Sequence, residues 1–371
     1  MKFIKIPAFA IVLLLLMQIV SKVFIAIDSS DIENIYGFYA EPKNSLDMVV
    51  IGPSEVYTGY APALAWEEYG LKSCNLSIGA VPCNMYKSIV TEIVKRQKPK
   101  LLIINAAAFS HGNWNLTDEV FLRKWIDNIP MSQNKLDTVK TIPKNINKDD
   151  EKVKDNISDT LYFPLEKYHG NWKDPDAVYT SFVTRTYMRL SGGGYLKGFF
   201  SKTGITGGRD NLANIGQPTK EAYVLTDECR AYLKELLAYC NKLGIEHVLL
   251  LQPPHETQAA DKSGLEQIES ITKEYGYDFL DLSTDYESIA GIDDSHDFAD
   301  FEHLNAYGAQ KLSSYIGNLA VNQYGIKSDT SDSELSRWEK SVKRTEKALK
   351  MAREYTDRGE AQVVGEYEAA K

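Results

Sequence analysis

Three side chains in this sequence have the chemistry of acyl transfer: Ser54 in IGPSEVYTG, and Asp300 and His303 in DFEHLNAYGAQKL. A serine hydroxyl must lose its proton to attack a carbonyl carbon. A neutral imidazole is the usual acceptor near neutral pH, and a carboxylate fixes the tautomer of that imidazole. The spacing of Asp300 and His303 lets a single turn present both. Each element also has an ordinary reading: a serine after a strand is commonly the N-cap of the next helix, and an Asp and a His on a turn are commonly a solvated pair. What separates the readings is coincidence, because the serine follows the first strand of an alternating pattern and the Asp and His precede its last helix.

That pattern begins with DMVVIG (Asp47 to Gly52), a short apolar run ending in glycine, as expected of a buried strand that opens into a loop. A helix is expected from Pro62 to Tyr69, a strand from Ser73 to Ile78, a helix from Asn84 to Arg96 and a strand at KLLIIN (Lys100 to Asn105). The alternation resumes with a helix from Asp227 to Leu243, a strand at HVLLLQ (His247 to Gln252), a helix around Leu265 to Tyr275, a strand from Asp278 to Leu282 and a helix from Asn305 to Tyr324. Five strands linked by helices predict an α/β fold: a three-layer α/β/α, flavodoxin-like parallel sheet, since parallel neighbours need crossover helices. In such a sheet ligands gather at the carboxyl ends of the strands, where Ser54 would stand. Residues 106–225 interrupt the alternation as one large insertion, a subdomain or a lid. It holds a helix-like piece (Glu119 to Asn128), a lysine-rich polar loop (Lys144 to Asp155) and a glycine-rich bend, SGGGYLKGFF (Ser191 to Phe200). The bend lacks the strand-to-helix context of a phosphate loop and reads as a turn.

The first 27 residues, MKFIKIPAFAIVLLLLMQIVSKVFIAI, suffice for one membrane-spanning helix, with Lys22 able to snorkel toward headgroups. No small-residue cleavage site precedes Asp28, so an uncleaved anchor is expected, and the N-terminal lysines put the body outside the cytoplasm. Residues 28–325 form the α/β domain. Residues 326–371 form a charged helical tail that could pack through Trp338, Val342 and Leu349 on the domain or on a partner. The formal net charge of −9, more negative still without the three lysines of the anchor, argues against nucleic acid as a partner. Cys74, Cys83, Cys229 and Cys240 are too few for a disulfide scaffold: Cys229 and Cys240 lie too far apart along one helix to bridge, Cys74 and Cys83 could pair across a loop, and buried free thiols are expected. His111, His255 and His296 lack metal-ligand spacing, so neither a metal nor a cofactor is expected.

GPSEV, Gly79 within NLSIGAVPCN, and DFEHLNAYGAQK resemble the first, second and fifth sequence blocks of SGNH (GDSL-like) hydrolases. With the N-terminal anchor, DNIPMSQNKL and YHGNW, residues 1–325 are similar to a bacterial membrane-anchored group that includes the D-alanine transfer protein of teichoic acid modification and the alginate O-acetylation proteins. The resemblance implies Ser54 as nucleophile, His303 as general base and then acid, Asp300 as its orienting carboxylate, and Gly79 as a backbone oxyanion donor. Two departures stand out. Pro53 occupies the position of the family's Asp and has no N–H to donate, and the family's third block is not recognisable in LLIINAAAFSHGNW. Asn105 is the candidate side-chain oxyanion donor, with Asn75 and Asn84 behind it, each equally readable as a turn residue.

Glu55 could hydrogen-bond the site or face solvent, and His169 and Trp172, with Trp114, could form a sugar-stacking wall or be ordinary core aromatics. The activity implied is that of an extracytoplasmic serine esterase or O-acyltransferase on acylated cell-envelope polysaccharide, with a membrane O-acyltransferase as possible partner. A non-catalytic protein of the same fold that binds glycan or such a partner is the alternative. A secreted lipase would want an apolar face near the site, which the polar insertion does not suggest.

Overall fold

Apolar runs without polar alternation must be buried on both faces, and here they form one sheet. The computed structural model describes residues 2–26, 28–110, 112, 115–142, 157–208, 222–255 and 261–370. Seven strands occur among them: β1 (Met48–Gly52), β2 (Ser73–Ser77), β3 (Leu101–Asn105), β4 (Ser201–Lys202), β5 (His247–Gln252), β6 (Asp278–Asp281) and β7 (Val363–Val364). Five make a parallel sheet in the order β2-β1-β3-β5-β6, and β4 and β7 pair antiparallel apart from it. The order reverses at β1 and β3, where the chain switches from one face of the sheet to the other.

Alternate residues of each strand enter two cores. Val49, Ile51, Leu102, Ile104, Val248 and Leu250 pack with the helices Tyr86–Arg96, Asp227–Leu243 and Ser263–Glu274 on one face. Met48, Val50, Leu101, Ile103, Leu249 and Leu251 pack with the helices Pro62–Tyr69 and Ala306–Asn318 on the other. The result is the three-layer α/β/α arrangement expected from the alternation. The largest difference lies between β3 and β5. The insertion contributes a helix at Gln133–Thr141 and a 16-residue helix, Pro175–Leu190, which packs along the helix Ser29–Ala40. Neither stands out in the sequence, because the positions they bury are mostly polar: Lys135, Thr138 and Val139 in the first, and Ser181, Thr184, Arg185 and Met188 in the second. The lysine-rich loop and Trp114 lie outside the described residues.

The glycine-rich bend is structural. Gly192, Gly193, Gly194 and Gly198 all have positive φ, which residues other than glycine rarely accept, and between Gly194 and Gly198 the bend lies along the free edge of β2, where the Asn75 N–H donates to the Lys197 carbonyl at 2.9 Å. The tail closes over it. In the helix Asp332–Asp357, Trp338 stacks on Trp66 with ring centroids 5.7 Å apart, and the Lys197 ammonium lies 5.0 Å from its centroid. Lys197 is itself buried and paired with Glu41 at 2.7 Å, which also receives Arg337 at 3.1 Å. Leu349 and Val364 complete a small core with Phe199 and Leu196.

The first helix runs Lys2–Phe24. Its end does not project freely. Lys22 donates from Nζ to the carbonyls of Asp127 and Ile129, Arg185 donates to the carbonyls of Lys22 and Ile25, and Asn171 to that of Phe24. Lys22 is therefore bound into the body and does not snorkel. Among the described residues, no helix is long and apolar enough to cross a membrane. The four cysteines are buried free thiols, and the neighbour of Cys83 is Cys229, with sulfurs 3.5 Å apart, not Cys74.

Because Trp338 joins the tail to the domain through stacking and burial, Trp338→Ala is expected to destabilise the whole chain by about 3 kcal/mol. The check is the urea midpoint; an unchanged midpoint would show that the tail is not part of the cooperative fold.

Candidate active site

Ser54 begins a short helix, Ser54–Gly59, directly after β1. Its hydroxyl lies 2.7 Å from Nε2 of His303, and Nδ1 of the same ring lies 2.8 and 3.0 Å from the two carboxylate oxygens of Asp300. The chain of contacts is serine, imidazole, carboxylate. Asp300 is locked by its own turn: Oδ1 accepts the backbone N–H groups of Glu302 at 3.0 Å and His303 at 2.9 Å. Asn305 fastens that turn to the following helix. Its Oδ1 accepts from Tyr307 and Gly308 as an N-cap, and its Nδ2 donates back to His296 and to Gly204.

The electrostatics favour an ionised carboxylate. Burial acts to raise the Asp300 pKa, but the hydrogen bond and charge of His303 and the ammonium of Lys202 outweigh it and hold the group well below the usual carboxylate range. Lys202 Nζ donates to Asp300 Oδ2 and lies 3.2 Å from His303 Nδ1. With Nδ1–H donated to Asp300, Nε2 is left as the acceptor for the Ser54 proton, as general-base chemistry requires.

The oxyanion candidates fare differently. Asn105, at the end of β3, is 1% exposed; its Oδ1 accepts from Ala107 N at 2.7 Å, which fixes the amide orientation and leaves Nδ2 a buried donor without a partner among the described residues. A Cβ at Gly52 would come within 2.5 Å of the Asn105 Cβ, so the glycine that ends β1 is what lets this side chain stand beside the nucleophile's loop. Gly79 N–H, by contrast, is already donated to Asp31 Oδ1 at 2.7 Å, and Asp31 is held in turn by Lys124 at 2.9 Å. Asn75 is occupied structurally, donating to the carbonyls of Tyr60 and Gly198. Asn84 lines a cavity of about 320 Å³ with Lys87, Tyr232 and Tyr239, whose lining contains no residue of the serine, imidazole and carboxylate chain.

Glu55 does not face solvent. It is 8% exposed and turns toward the buried His255, with Oε1 3.7 Å from Nε2. His169 and Trp172 sit beside the end of the first helix, where Asn171 between them bonds Phe24. Trp172 is 64% exposed, His169 Nδ1 is 2.7 Å from the Glu166 carbonyl, and no described contact joins either to Ser54. They are neither core aromatics nor, among the described contacts, a wall at this site. No group of His, Cys, Asp or Glu among the described residues could hold a metal ion.

Lys202 is the neighbour that sequence reading missed. It lies in the insertion without a local motif, and nothing in its flanking residues announces it. No family model matches the chain, and no curated protein or solved structure matches it.

Since the folded-state pKa of Asp300 is depressed, its contribution to stability is present above the value of an unfolded aspartate, about 3.9, and is lost as pH falls toward the folded value. The difference in urea midpoint between wild type and Asp300→Asn is expected to shrink between about pH 4 and pH 2. A difference that widens over this window would contradict the assignment.

Proposed function

We propose that this chain is a membrane-tethered, extracytoplasmic serine esterase or O-acyltransferase that acts on acylated cell-envelope polysaccharide. The observation that carries the proposal is the 2.7 Å contact between Ser54 Oγ and His303 Nε2, with Asp300 behind the imidazole. His303 takes the hydroxyl proton as Ser54 Oγ bonds to the acyl carbonyl carbon. The oxygen that gains charge is met by Asn105 Nδ2, a buried donor with no other partner among the described residues. Collapse returns the proton from His303 to the departing alcohol oxygen and leaves an acyl-serine. Water then completes hydrolysis, or a glycan hydroxyl completes transfer, with His303 taking the acceptor's proton.

Tethering is supported by the sequence of the helix Lys2–Phe24, nearly unbroken in apolar residues from Ile6 to Val20. Confinement beside a wall or membrane-bound glycan raises the effective concentration of that substrate. A membrane acyl-transport protein is the natural donor for the transferase version.

A second reading is a non-catalytic protein that binds glycan or such a partner. It is favoured by one observation: the Gly79 N–H is engaged by Asp31, while Pro53 has no N–H to offer.

Full-length protein in detergent separates the two. A fluorophosphonate probe is expected to label wild type and not Ser54→Ala, whereas an unlabelled wild type would favour the binding protein. Asn105→Ala is expected to lower kcat on a small acetyl ester by about a hundredfold to a thousandfold with little change in KM; an unchanged kcat would remove Asn105 from the oxyanion role.

A further inference from the structure

We propose that Lys202 is a positioning residue of this site, one that clamps the Asp300 carboxylate behind His303 and sets the pH range over which Ser54 is activated. The inference rests on the acyl-transfer reading above.

The geometry is specific. Lys202 Nζ donates to Asp300 Oδ2 and stands 3.2 Å from His303 Nδ1. That nitrogen already faces both oxygens of Asp300 and is the protonated one in the tautomer that leaves Nε2 free for Ser54. The ammonium and the Nδ1–H are therefore both donors, and their proximity is not a hydrogen bond. Two effects follow. The ammonium holds Oδ2 while the turn amides hold Oδ1, with the imidazole facing both, which fixes the carboxylate plane. The same positive charge, 3.2 Å from Nδ1, opposes a second positive charge on the ring.

Lys202 reaches this place through the C-terminal tail. In the β4–β7 pair, Lys202 stands opposite Val363 and Ser201 opposite Val364. Next to them the Thr203 hydroxyl donates to the Glu360 carbonyl and accepts from Gln362 N–H, Gly204 N–H donates to the Thr356 hydroxyl, and the Gly204 carbonyl accepts from Asn305. The clamp thus runs from the tail, through β4, into the turn that carries Asp300 and His303.

Most of the other charged groups in the neighbouring segments have partners of their own. Asp297 binds Lys311 at 2.6 Å and His296 at 3.0 Å, Arg358 binds Glu360 at 2.7 Å, and Arg353 donates to Gln310. On the nucleophile's side Glu55 faces His255, and Asp31 and Asp28 hold Lys124. Glu302 lies on the same turn as Asp300 and His303. Among these described groups Lys202 is the cation that touches both Asp300 and His303.

The test follows the rate of Ser54-dependent fluorophosphonate labelling of the full-length protein in detergent from pH 5 to 9, for wild type, Lys202→Met, Lys202→Gln and Lys202→Arg. Lys202→Met and Lys202→Gln are expected to move the acid limb upward by about half a unit to one unit, the size of one partly screened charge at contact. Lys202→Arg is expected to keep the wild-type limb. Limbs that superimpose in all four proteins would reduce Lys202 to a structural ion pair and overturn the inference, as would a Lys202→Arg limb displaced as far as that of Lys202→Met. Should one neutral variant fail to fold, the other decides. A wild type that does not label at Ser54 at any pH overturns instead the acyl-transfer reading on which the inference rests.

Discussion

The contact between Ser54 and His303 joins residues 249 apart in sequence, and it constrains most of what surrounds it. It can form only if the carboxyl end of β1 and the turn before the last helix of the domain meet at one rim of the sheet. The strand order supplies this, because the reversal between β1 and β3 opens a crevice at the end of β1. Gly52 keeps the crevice clear, Asn105 enters it from the end of β3, and Asn305 pins the opposite wall. A serine hydroxyl 2.7 Å from an imidazole is of little consequence if either is mobile. Here each side is fixed by backbone hydrogen bonds from its own turn and by an asparagine whose amide is oriented by at least one bond.

The insertion and the tail belong to that framework. The glycine-rich bend lies along β2, an edge that would otherwise offer unpaired backbone groups. The tail lies over the bend and carries the strand that holds β4. Two clusters of buried charge are internally compensated: Lys197 and Arg337 converge on Glu41, and Arg123 sits between Glu119 and Asp127. Breaking such a cluster leaves an unpaired buried charge, which costs far more than the pair contributes. These clusters therefore specify where the insertion and tail dock more than they add to stability.

Lys22, Arg185 and Asn171 bond the end of the first helix to the body through main-chain carbonyls. If that helix is a tether, it is not a flexible one. The exposed Trp172 is next in sequence to Asn171, which bonds that end of the helix.

Much of this was legible in the residues alone. Period and punctuation located five strands and the helices between them to within a few residues, since strands buried on both faces read as continuous apolar runs and since Gly and Pro mark their ends. The helix Asp227–Leu243 and the strand His247–Gln252 fall at the residues expected. The serine, the Asp–His turn and Asn105 were legible too, because local chemistry and the ends of strands locate them. Tertiary structure decided the rest: that Gly79 gives its N–H to Asp31, that Glu55 turns inward to His255, that His169 and Trp172 sit by the first helix, and that Lys202 joins Asp300. None of these has a local signature. Each depends on which backbone group or charge a distant segment brings within about 3 to 4 Å, and that is settled by how the insertion and the tail fold back over the sheet.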